Sequence, residues 1–281
     1  MSYADYECFR VELDDGIARV TMDYPPINLL DEKMSREFDS LGRQLEADDA
    51  VRVVILQSAN PDFFIAHSGL RRVAESGTGK VSGTRNFRLT QVIGERFRNM
   101  PKVTISKVEG RARGGGNEIS MATDMCFAAL GRAIFAHPEV AIGLVPGGGS
   151  TQRLPRLLGR GRALEILTGC DDFSAELAER YGLVNRAFPP DELGPFVDNL
   201  ARRIATFPIH AIAHVKTAVD QGAFHSLSEG LLTEAYQSDL CVRSEVTQAR
   251  VRNALADGWE TKEGEMDISA RLASATLAKP D

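Results

Sequence analysis

The sequence predicts an α/β fold, and two features of its apolar spacing support this prediction. Up to about residue 190, short apolar runs typical of buried strands alternate with segments whose apolar residues recur every three or four positions, as on one face of a helix. Beyond that point helical spacing predominates and strand-like runs become scarce. We therefore predict a β/α core over residues 1–190 and a helical region over residues 191–281, which covers the core or meets a partner chain.

The first predicted elements are a β-hairpin and a helix. Residues 9–13 and 17–22 alternate apolar and polar side chains around Asp14-Asp15-Gly16, a pattern typical of two strands joined by a tight turn. A Pro25-Pro26 turn separates this hairpin from a helix with Asp31 as its N-cap. The apolar face of that helix is formed by Met34, Phe38, Leu41 and Leu45.

Three short apolar runs predict buried strands at residues 51–56, 63–66 and 103–108. Between the last two, residues 71–88 are polar and rich in Gly and Ser, so we expect a mobile segment there. The last strand signal is at residues 184–187. Later helices are predicted at residues 151–158, 163–168, 175–181, 190–207, 208–219 and about 224–257.

The composition restricts the partners that the protein is expected to bind. At 281 residues, 43% of them hydrophobic, the chain can bury a large core. Its formal net charge of −6 provides no basic field, so nucleic acid and anionic membrane surfaces are disfavoured as partners. No signal-like segment follows Met1 and no apolar stretch is long enough to span a membrane, so we expect neither a targeting nor a membrane segment.

Cysteine usage indicates a reducing compartment. The chain has four cysteines, widely spaced and without a CxxC pair, which predicts buried, reduced thiols and a cytoplasmic setting. These cysteines are Cys8, Cys126, Cys170 and Cys241.

Backbone donors and two carboxylates come from neighbouring parts of the sequence. Gly114-Gly115-Gly116 lets the main chain approach a ligand without Cβ atoms, and it precedes a helical pattern that contains Glu118. Unpaired N–H groups at the start of a helix, together with the helix dipole, stabilise an oxygen that gains negative charge. His137-Pro138-Glu139 adds a second carboxylate. This combination predicts acyl-thioester chemistry.

Several motifs, in matching order and spacing, make the chain similar to the crotonase superfamily, and above all to its enoyl-CoA hydratases. They are residues 110–118, Pro138-Glu139, residues 143–154 and, near the N-terminus, residues 25–30. The resemblance spans about residues 8–220 and weakens toward the C-terminus. It implies a spiral of ββα repeats with a C-terminal helical oligomerisation region, assembled as a homotrimer or a dimer of trimers.

The resemblance also implies a reaction, the hydration of trans-2-enoyl-CoA to 3-hydroxyacyl-CoA, and roles for individual residues. The backbone N–H groups of Ser68 and Gly115 would form an oxyanion hole for the thioester enolate. Glu118 would orient and deprotonate water, and Glu139 would share the water and donate a proton at Cα. Which of them carries the proton at the start stays open, because a close pair titrates as a unit. The residues implied to contact substrate are Pro26, Ala66, Gly69 and Leu70.

No metal and no further cofactor is implied, because CoA arrives as part of the substrate. Two residues depart from the family pattern in the loop that carries Ser68: His67 stands where the family has glycine, and Gly69 where it has aspartate. A backbone N–H does not depend on the identity of its side chain. The departures therefore concern the shape of the pocket rather than the existence of the oxyanion hole.

Other functions stay open at this point. A double-bond isomerase, a thioester hydrolase or a C–C lyase of the same superfamily could use the same oxyanion hole, and a non-catalytic acyl-CoA-binding or RNA-binding protein could keep the fold. The presence of both Glu118 and Glu139 favours hydration over binding alone.

Four further motifs favour structural roles. Residues 77–80 lack the flanking Gly and Ser or Thr of a phosphate-binding loop, and His210 and His214 lack the intervening Glu of a zinc-peptidase helix. Residues 147–149 predict a turn before a helix with Ser150 as its N-cap. A group of four arginines predicts a solvated helical face. They are Arg153, Arg156, Arg160 and Arg162.

Overall fold

Two β-sheets form the centre of the protein in the computed structural model, which describes residues 2–79 and 86–273. The strands are β1 (Phe9–Asp14), β2 (Ile17–Met22), β3 (Val53–Ser58), β4 (Phe63–Ile65), β5 (Val103–Val108), β6 (Arg111–Arg113), β7 (Met125–Ala129), β8 (Ile134–Ala136), β9 (Phe173–Ser174) and β10 (Arg186–Phe188). The helices are α1 (Glu32–Ala47), α2 (Arg71–Glu75), α3 (Leu89–Asn99), α4 (Gly115–Ser120), α5 (Ser150–Leu158), α6 (Arg160–Gly169), α7 (Ala175–Tyr181), α8 (Pro190–Ala205), α9 (Ile209–Phe224), α10 (Leu227–Val242), α11 (Glu245–Ala256), α12 (Lys262–Met266) and α13 (Ile268–Ala273). Short 3₁₀ helices cover Tyr3–Asp5 and Val140–Ile142. The predicted α/β class is confirmed.

The chain winds through both sheets as a spiral. The six-stranded sheet has the order β1-β2-β3-β5-β7-β10, and the four-stranded sheet has the order β4-β6-β8-β9. Strand pairs β3/β4, β5/β6 and β7/β8 each place one strand in each sheet, and neighbouring turns pair in parallel. The carboxyl ends of β4, β6 and β8 therefore lie side by side, which is where loops from successive turns meet.

The predicted N-terminal elements are confirmed. Strands β1 and β2 form an antiparallel hairpin in which Asp14 pairs with Ile17. Helix α1 is capped by Asp31, whose side chain accepts a hydrogen bond from the Met34 N–H at 2.9 Å. On its buried face, the Phe38 ring lies 4.9 Å from the Phe9 ring.

Strand β3 lies inside the six-stranded sheet and is buried on both faces. Val53 and Ile55 pack in the same cluster as the apolar residues of α8, whereas Val54 and Leu56 pack in the cluster that contains the apolar face of α1. A strand covered on both faces has apolar residues at consecutive positions, because both side-chain directions lead into a core. The strand predicted at residues 51–56 is confirmed, with its start two residues later.

Several elements differ from the prediction or were not predicted. The segment predicted as mobile contains α2 at Arg71–Glu75, and residues 80–85 of it lie outside the described residues, as does the end of the 77–80 motif. Helix α3 was missed, although Ile93 and Phe97 form a buried stripe on it. Strands β6, β7 and β8 were also missed; β6 and β8 have only three residues each, too few to show a periodic pattern.

The cysteine prediction is correct in part. All four cysteines are free, but Cys170 and Cys241 are half-buried rather than buried. Burial raises the pKa of the Cys126 thiol to about 12, so this thiol stays protonated at neutral pH.

The helices after residue 190 contact the core through charged groups as well as apolar ones. The Lys216 ammonium on α9 donates to the Lys102 carbonyl at 2.7 Å and to Asp124 Oδ2 at 2.8 Å. Asp124 also accepts from the Thr104 N–H at 2.7 Å. The boundary of the two regions at residue 190 stays a prediction. In the described part of the chain, every helix is too short or too polar to cross a membrane.

The Asp124–Lys216 contact gives a stability prediction. Asp124→Ala should lower the free energy of unfolding by about 2 kcal/mol, because it removes the carboxylate partner of a shielded ammonium and the acceptor of the Thr104 N–H. The two side chains are only 14% (Lys216) and 20% (Asp124) exposed, so water compensates poorly. Urea-induced unfolding measures the change.

The matched control is Glu32→Ala, which removes an ion pair with Arg36 whose side chains are both more than 70% exposed. Such a surface pair contributes about 0.5 kcal/mol. Equal losses in the two variants would contradict the prediction.

Candidate active site

The glycine motif forms the start of helix α4 at the end of β6. Gly114 has a φ of 50°, a conformation that glycine adopts without strain, and its N–H donates to the Ala136 carbonyl at the end of β8 at 2.9 Å. Gly116 packs so tightly on β4 that a Cβ there would overlap the Ile65 carbonyl. The loops after β4, β6 and β8 are thereby held together.

Ser68 and Gly115 are neighbouring residues that each offer a backbone N–H group. Ser68 forms a parallel bridge with Leu30, in which the Leu30 N–H donates to the His67 carbonyl and the Gly69 N–H donates to the Leu30 carbonyl. The Ser68 N–H therefore points away from Leu30, and it has no acceptor among residues 2–79 and 86–273. Within the same residues the Gly115 N–H, at the start of α4, has none either. A Cβ on Gly115 would overlap Ser68 Oγ, so the two residues are in contact.

Glu118 lies one turn into α4 and is 4% exposed. Its Oε1 accepts hydrogen bonds from the Gly148 N–H at 2.6 Å and the Ser150 N–H at 3.2 Å. A Cβ on Gly148 would overlap Glu118 Oε2, so glycine is required where this loop closes over the carboxylate. Main-chain donors hold this carboxylate oxygen and fix the direction of the side chain.

Glu139 follows β8 and approaches the same segment from the other side. Its Oε1 lies 2.8 Å from the position that a Cβ on Gly114 would take. The carbonyl oxygen of the same Gly114 accepts a hydrogen bond from the Glu118 N–H at 3.0 Å. The other oxygen, Oε2, is buried without a hydrogen-bond partner among the described residues. Nδ1 of His137 lies 3.5 Å from it. The structure thus brings both predicted glutamates to the segment that carries Gly115.

Three buried polar residues beside the glutamates were missed by the sequence analysis. Asn117, His137 and Ser150 have no exposed surface. His137 Nε2 lies 3.0 Å from Asn117 Nδ2 and 3.2 Å from Ser150 Oγ. The only signal in the sequence was a histidine two positions before Glu139.

The four residues predicted to contact substrate lie along two segments that the Leu30–Ser68 bridge joins. The Ala66 N–H donates to the Ile27 carbonyl at 3.2 Å, and the Gly69 N–H donates to the Leu30 carbonyl at 2.9 Å. Pro26 is exposed, and Leu70 is 46% exposed. Their roles stay predictions.

His67, the departure from the family pattern, lies on the same side of the site. Its Cβ is 3.8 Å from the Cβ position on Gly114, and its Nδ1 lies 2.9 Å from the Ser68 carbonyl oxygen, to which it can donate. The histidine is half-buried. It therefore contributes a wall beside Glu139 without replacing either backbone donor.

The remaining motifs have structural partners. His210 bonds to Thr247 at 3.0 Å and His214 to Gln237 at 2.5 Å, and the described residues contain no group of three or more His, Cys, Asp or Glu placed to hold a metal ion. Arg153 pairs with Glu95 but is only 15% exposed, so it departs from the predicted solvated face, whereas Arg156, Arg160 and Arg162 are exposed. Ser150 was wrongly predicted as an N-cap: it is the first residue of α5, and its hydroxyl contacts His137 instead.

Comparison with known proteins gives one family over most of the chain. A model described as enoyl-CoA hydratase/isomerase matches residues 12–252. The short-chain-enoyl-CoA hydratase of Clostridium acetobutylicum is 31% identical over 236 residues, which cover 84% of this chain and 89% of that protein. The crotonyl-CoA hydratase of Syntrophomonas wolfei is 32% identical over 242 residues, covering 84% and 90%.

Solved structures agree. An enoyl-CoA hydratase from Bacillus anthracis superposes with a TM-score of 0.80 at 25% identity, covering 89% of this chain and 97% of that chain. The crotonase fold implied by the motifs is therefore confirmed, with its alternation of strands between two sheets. The chain is an enzyme of the crotonase superfamily and belongs to its enoyl-CoA hydratase/isomerase family, with most similarity to enoyl-CoA hydratases.

Proposed function

We propose that this protein hydrates trans-2-enoyl-CoA to 3-hydroxyacyl-CoA. One observation carries the proposal: the backbone N–H groups of Ser68 and Gly115, which have no acceptor among the residues that the structure describes, lie in the same site as the carboxylates of Glu118 and Glu139. The similarity to a crotonyl-CoA hydratase and a short-chain-enoyl-CoA hydratase supports the same reaction.

The backbone donors would stabilise the charge that develops during addition. When water adds at Cβ of an unsaturated thioester, negative charge moves to the thioester oxygen and an enolate forms. The N–H groups of Ser68 and Gly115, already in place, would donate to that oxygen without reorganisation. Each donor is worth about 3 kcal/mol of the barrier in comparable sites.

The glutamates would move the protons. Glu118, held by the N–H groups of Gly148 and Ser150, would accept a proton from water as the water oxygen bonds to Cβ. Glu139 would donate a proton to Cα of the enolate. The product gains one water, and a proton then passes from Glu118 to Glu139 to restore the starting state. CoA, carried by the substrate, is the only cofactor that this proposal requires.

The reaction can be tested directly with enoyl-CoA thioesters of short, medium and aromatic acyl groups. We expect loss of the conjugated enoyl-thioester absorbance, with 3-hydroxyacyl-CoA as the product identified by mass spectrometry. Release of free thiol would indicate a thioester hydrolase instead, and a mass-neutral product would indicate an isomerase. Tight binding of acyl-CoA without turnover would contradict the proposal, as would a salt-sensitive RNA complex in the absence of turnover.

We further propose that the enzyme assembles as a homotrimer or a dimer of trimers. Large apolar side chains stand exposed on α9 and α10 of the single chain, and a contiguous apolar surface of this kind is typical of an interface. These residues are Val215, Val219, Leu227, Leu231, Leu232 and Tyr236.

Light scattering should therefore give a mass of three or six chains. Leu232→Glu places a charge on this surface, where the side chain is 73% exposed, and should reduce the mass to that of smaller species. Leu13→Glu, on β1 and 50% exposed, is the matched control and should leave the assembly intact. A single-chain mass for the unmodified protein would contradict the proposed assembly.

A further inference from the structure

A buried polar network connects the two glutamates, and the proposed reaction assigns it no task. It consists of Asn117, His137 and Ser150, all without exposed surface. Ser150 contacts both Glu118 and His137. Its N–H donates to Glu118 Oε1 at 3.2 Å, and its Oγ lies 3.2 Å from His137 Nε2. Fully buried polar groups are costly unless each has a hydrogen-bond partner, so the neighbours of His137 select the tautomer of its ring.

The neighbours of His137 specify which ring nitrogen carries the proton. The Ser120 hydroxyl can donate to the Asn117 backbone carbonyl at 2.9 Å and to Asn117 Oδ1 at 3.2 Å, and the amide Nδ2 of Asn117 lies 3.0 Å from His137 Nε2. An amide NH₂ is only a donor, so Nε2 must accept. In a neutral imidazole with Nε2 as the acceptor, the proton lies on Nδ1.

Nδ1 has two neighbours that can accept its proton, Ser150 Oγ at 3.5 Å and Glu139 Oε2. Nδ1 lies 3.5 Å from Glu139 Oε2, a buried oxygen without a hydrogen-bond partner among the described residues. Hydrogen bonds in active sites are often long before substrate binds and shorten in the complex. The second oxygen of Glu139, Oε1, lies beside Gly114, next to the backbone donor of Gly115.

We propose that His137 is the positioning residue for Glu139 in the hydration reaction, a role that rests on the proposed function. Its Nδ1–H donates to Oε2 and directs Oε1 toward the acyl Cα. Through Ser150, the same network is tied to the carboxylate of Glu118, so the two acid–base groups keep a constant separation. His137 contacts no reacting atom and acts through Glu139.

Two variants separate the Nδ1 donor from the rest of the ring. His137→Asn keeps an N–H donor at the position of Nδ1, because both atoms are bonded to Cγ, whereas His137→Leu fills similar space without a donor. Both variants lose the Nε2 acceptor, so the cost of leaving the Asn117 amide unpaired is common to them. The difference between the two variants reports the Nδ1 donor.

With crotonyl-CoA, the Leu variant should lose about 100-fold in kcat while KM stays within about twofold, because misplacement of an acid–base group affects chemistry more than binding. The kcat of the Asn variant should be at least about tenfold higher than the kcat of the Leu variant. Equal kcat values for the two variants, or a loss confined to KM, would overturn the proposal. Turnover by the unmodified enzyme is measured in the same series. If the unmodified enzyme does not hydrate crotonyl-CoA, the proposed function fails, and this result is distinct from equal kcat values in the two variants.

A second measurement does not depend on activity. In protein labelled with ¹⁵N-histidine, the ring nitrogens of His137 should show a proton on Nδ1 and none on Nε2, and Glu139→Gln should shift the Nδ1 signal. The signal is assigned by its loss in His137→Asn, or by elimination using His210→Gln, His214→Gln, His225→Gln and His67→Gln. A proton on Nε2, or an Nδ1 signal unaffected by Glu139→Gln, would overturn the proposal.

Discussion

Glu118→Gln is expected to lower kcat by about 100- to 10,000-fold, the range typical of a lost general base. The amide oxygen of Gln can still accept the hydrogen bonds that the N–H groups of Gly148 and Ser150 donate to Oε1. The loop over the side chain should therefore keep its place, and KM should change little. The loss isolates proton transfer, because an amide cannot accept the proton of the attacking water.

Glu139→Gln should show a loss of the same order, since the reaction needs a proton at Cα as well as a base for water. Both variants are measured by the loss of enoyl-thioester absorbance. Glu179 is an exposed residue on α7. Glu179→Gln is therefore the control for a Glu-to-Gln substitution outside the site, and it should keep full activity. Wild-type turnover in either site variant would remove that glutamate from the mechanism.

Gly115→Ala should lower kcat/KM by about 100- to 1,000-fold, as expected when an oxyanion-hole donor is displaced. An added Cβ would overlap Ser68 Oγ and would lie 3.0 Å from Leu30 Cδ2. The clash pushes apart the two residues whose N–H groups the proposed reaction uses.

Ser68→Ala provides the decisive comparison. The proposed role of Ser68 uses its backbone N–H, so the single variant should retain activity near that of the wild type. In the double variant Ser68→Ala/Gly115→Ala, the Cβ of residue 68 lies an ordinary 3.4 Å from the new methyl, so part of the activity should return. Gly161→Ala, on α6 with nothing within 4 Å of its added Cβ, is the matched control. A double variant as inactive as Gly115→Ala would contradict the steric explanation.

The parts of the fold that could be predicted from sequence are those with a long, regular pattern. The β1–β2 hairpin and α1 each have enough residues for alternation or helical spacing to stand out, and Asp31 marks the helix start. Strands β6 and β8, of three residues each, carry no measurable period, and they are defined by pairing with one another across the spiral. Helix α3 was obscured by the polar segment before it.

The same distinction applies to the candidate site. Ser68, Gly115, Glu118 and Glu139 could be placed because each belongs to a motif that is local in sequence. The contact of Ser150 with His137 depends on the loop before α5 returning to the end of β8, which no local pattern describes. For this reason Ser150 was interpreted as a helix cap, and His137 received no role.

The side-by-side ends of β4, β6 and β8 have a consequence for how substrate range can change. Each of these strands delivers one site segment, with Ser68 after β4, Gly115 after β6 and Glu139 after β8, and their order across the sheet equals their order along the chain. The spacing of the reacting groups is thus set by the main-chain pairing of β4, β6 and β8. It does not depend on the outer segments, which are the loops and helices around these strands. Insertions or substitutions in those outer segments can reshape the acyl pocket while the chemistry at the thioester is preserved.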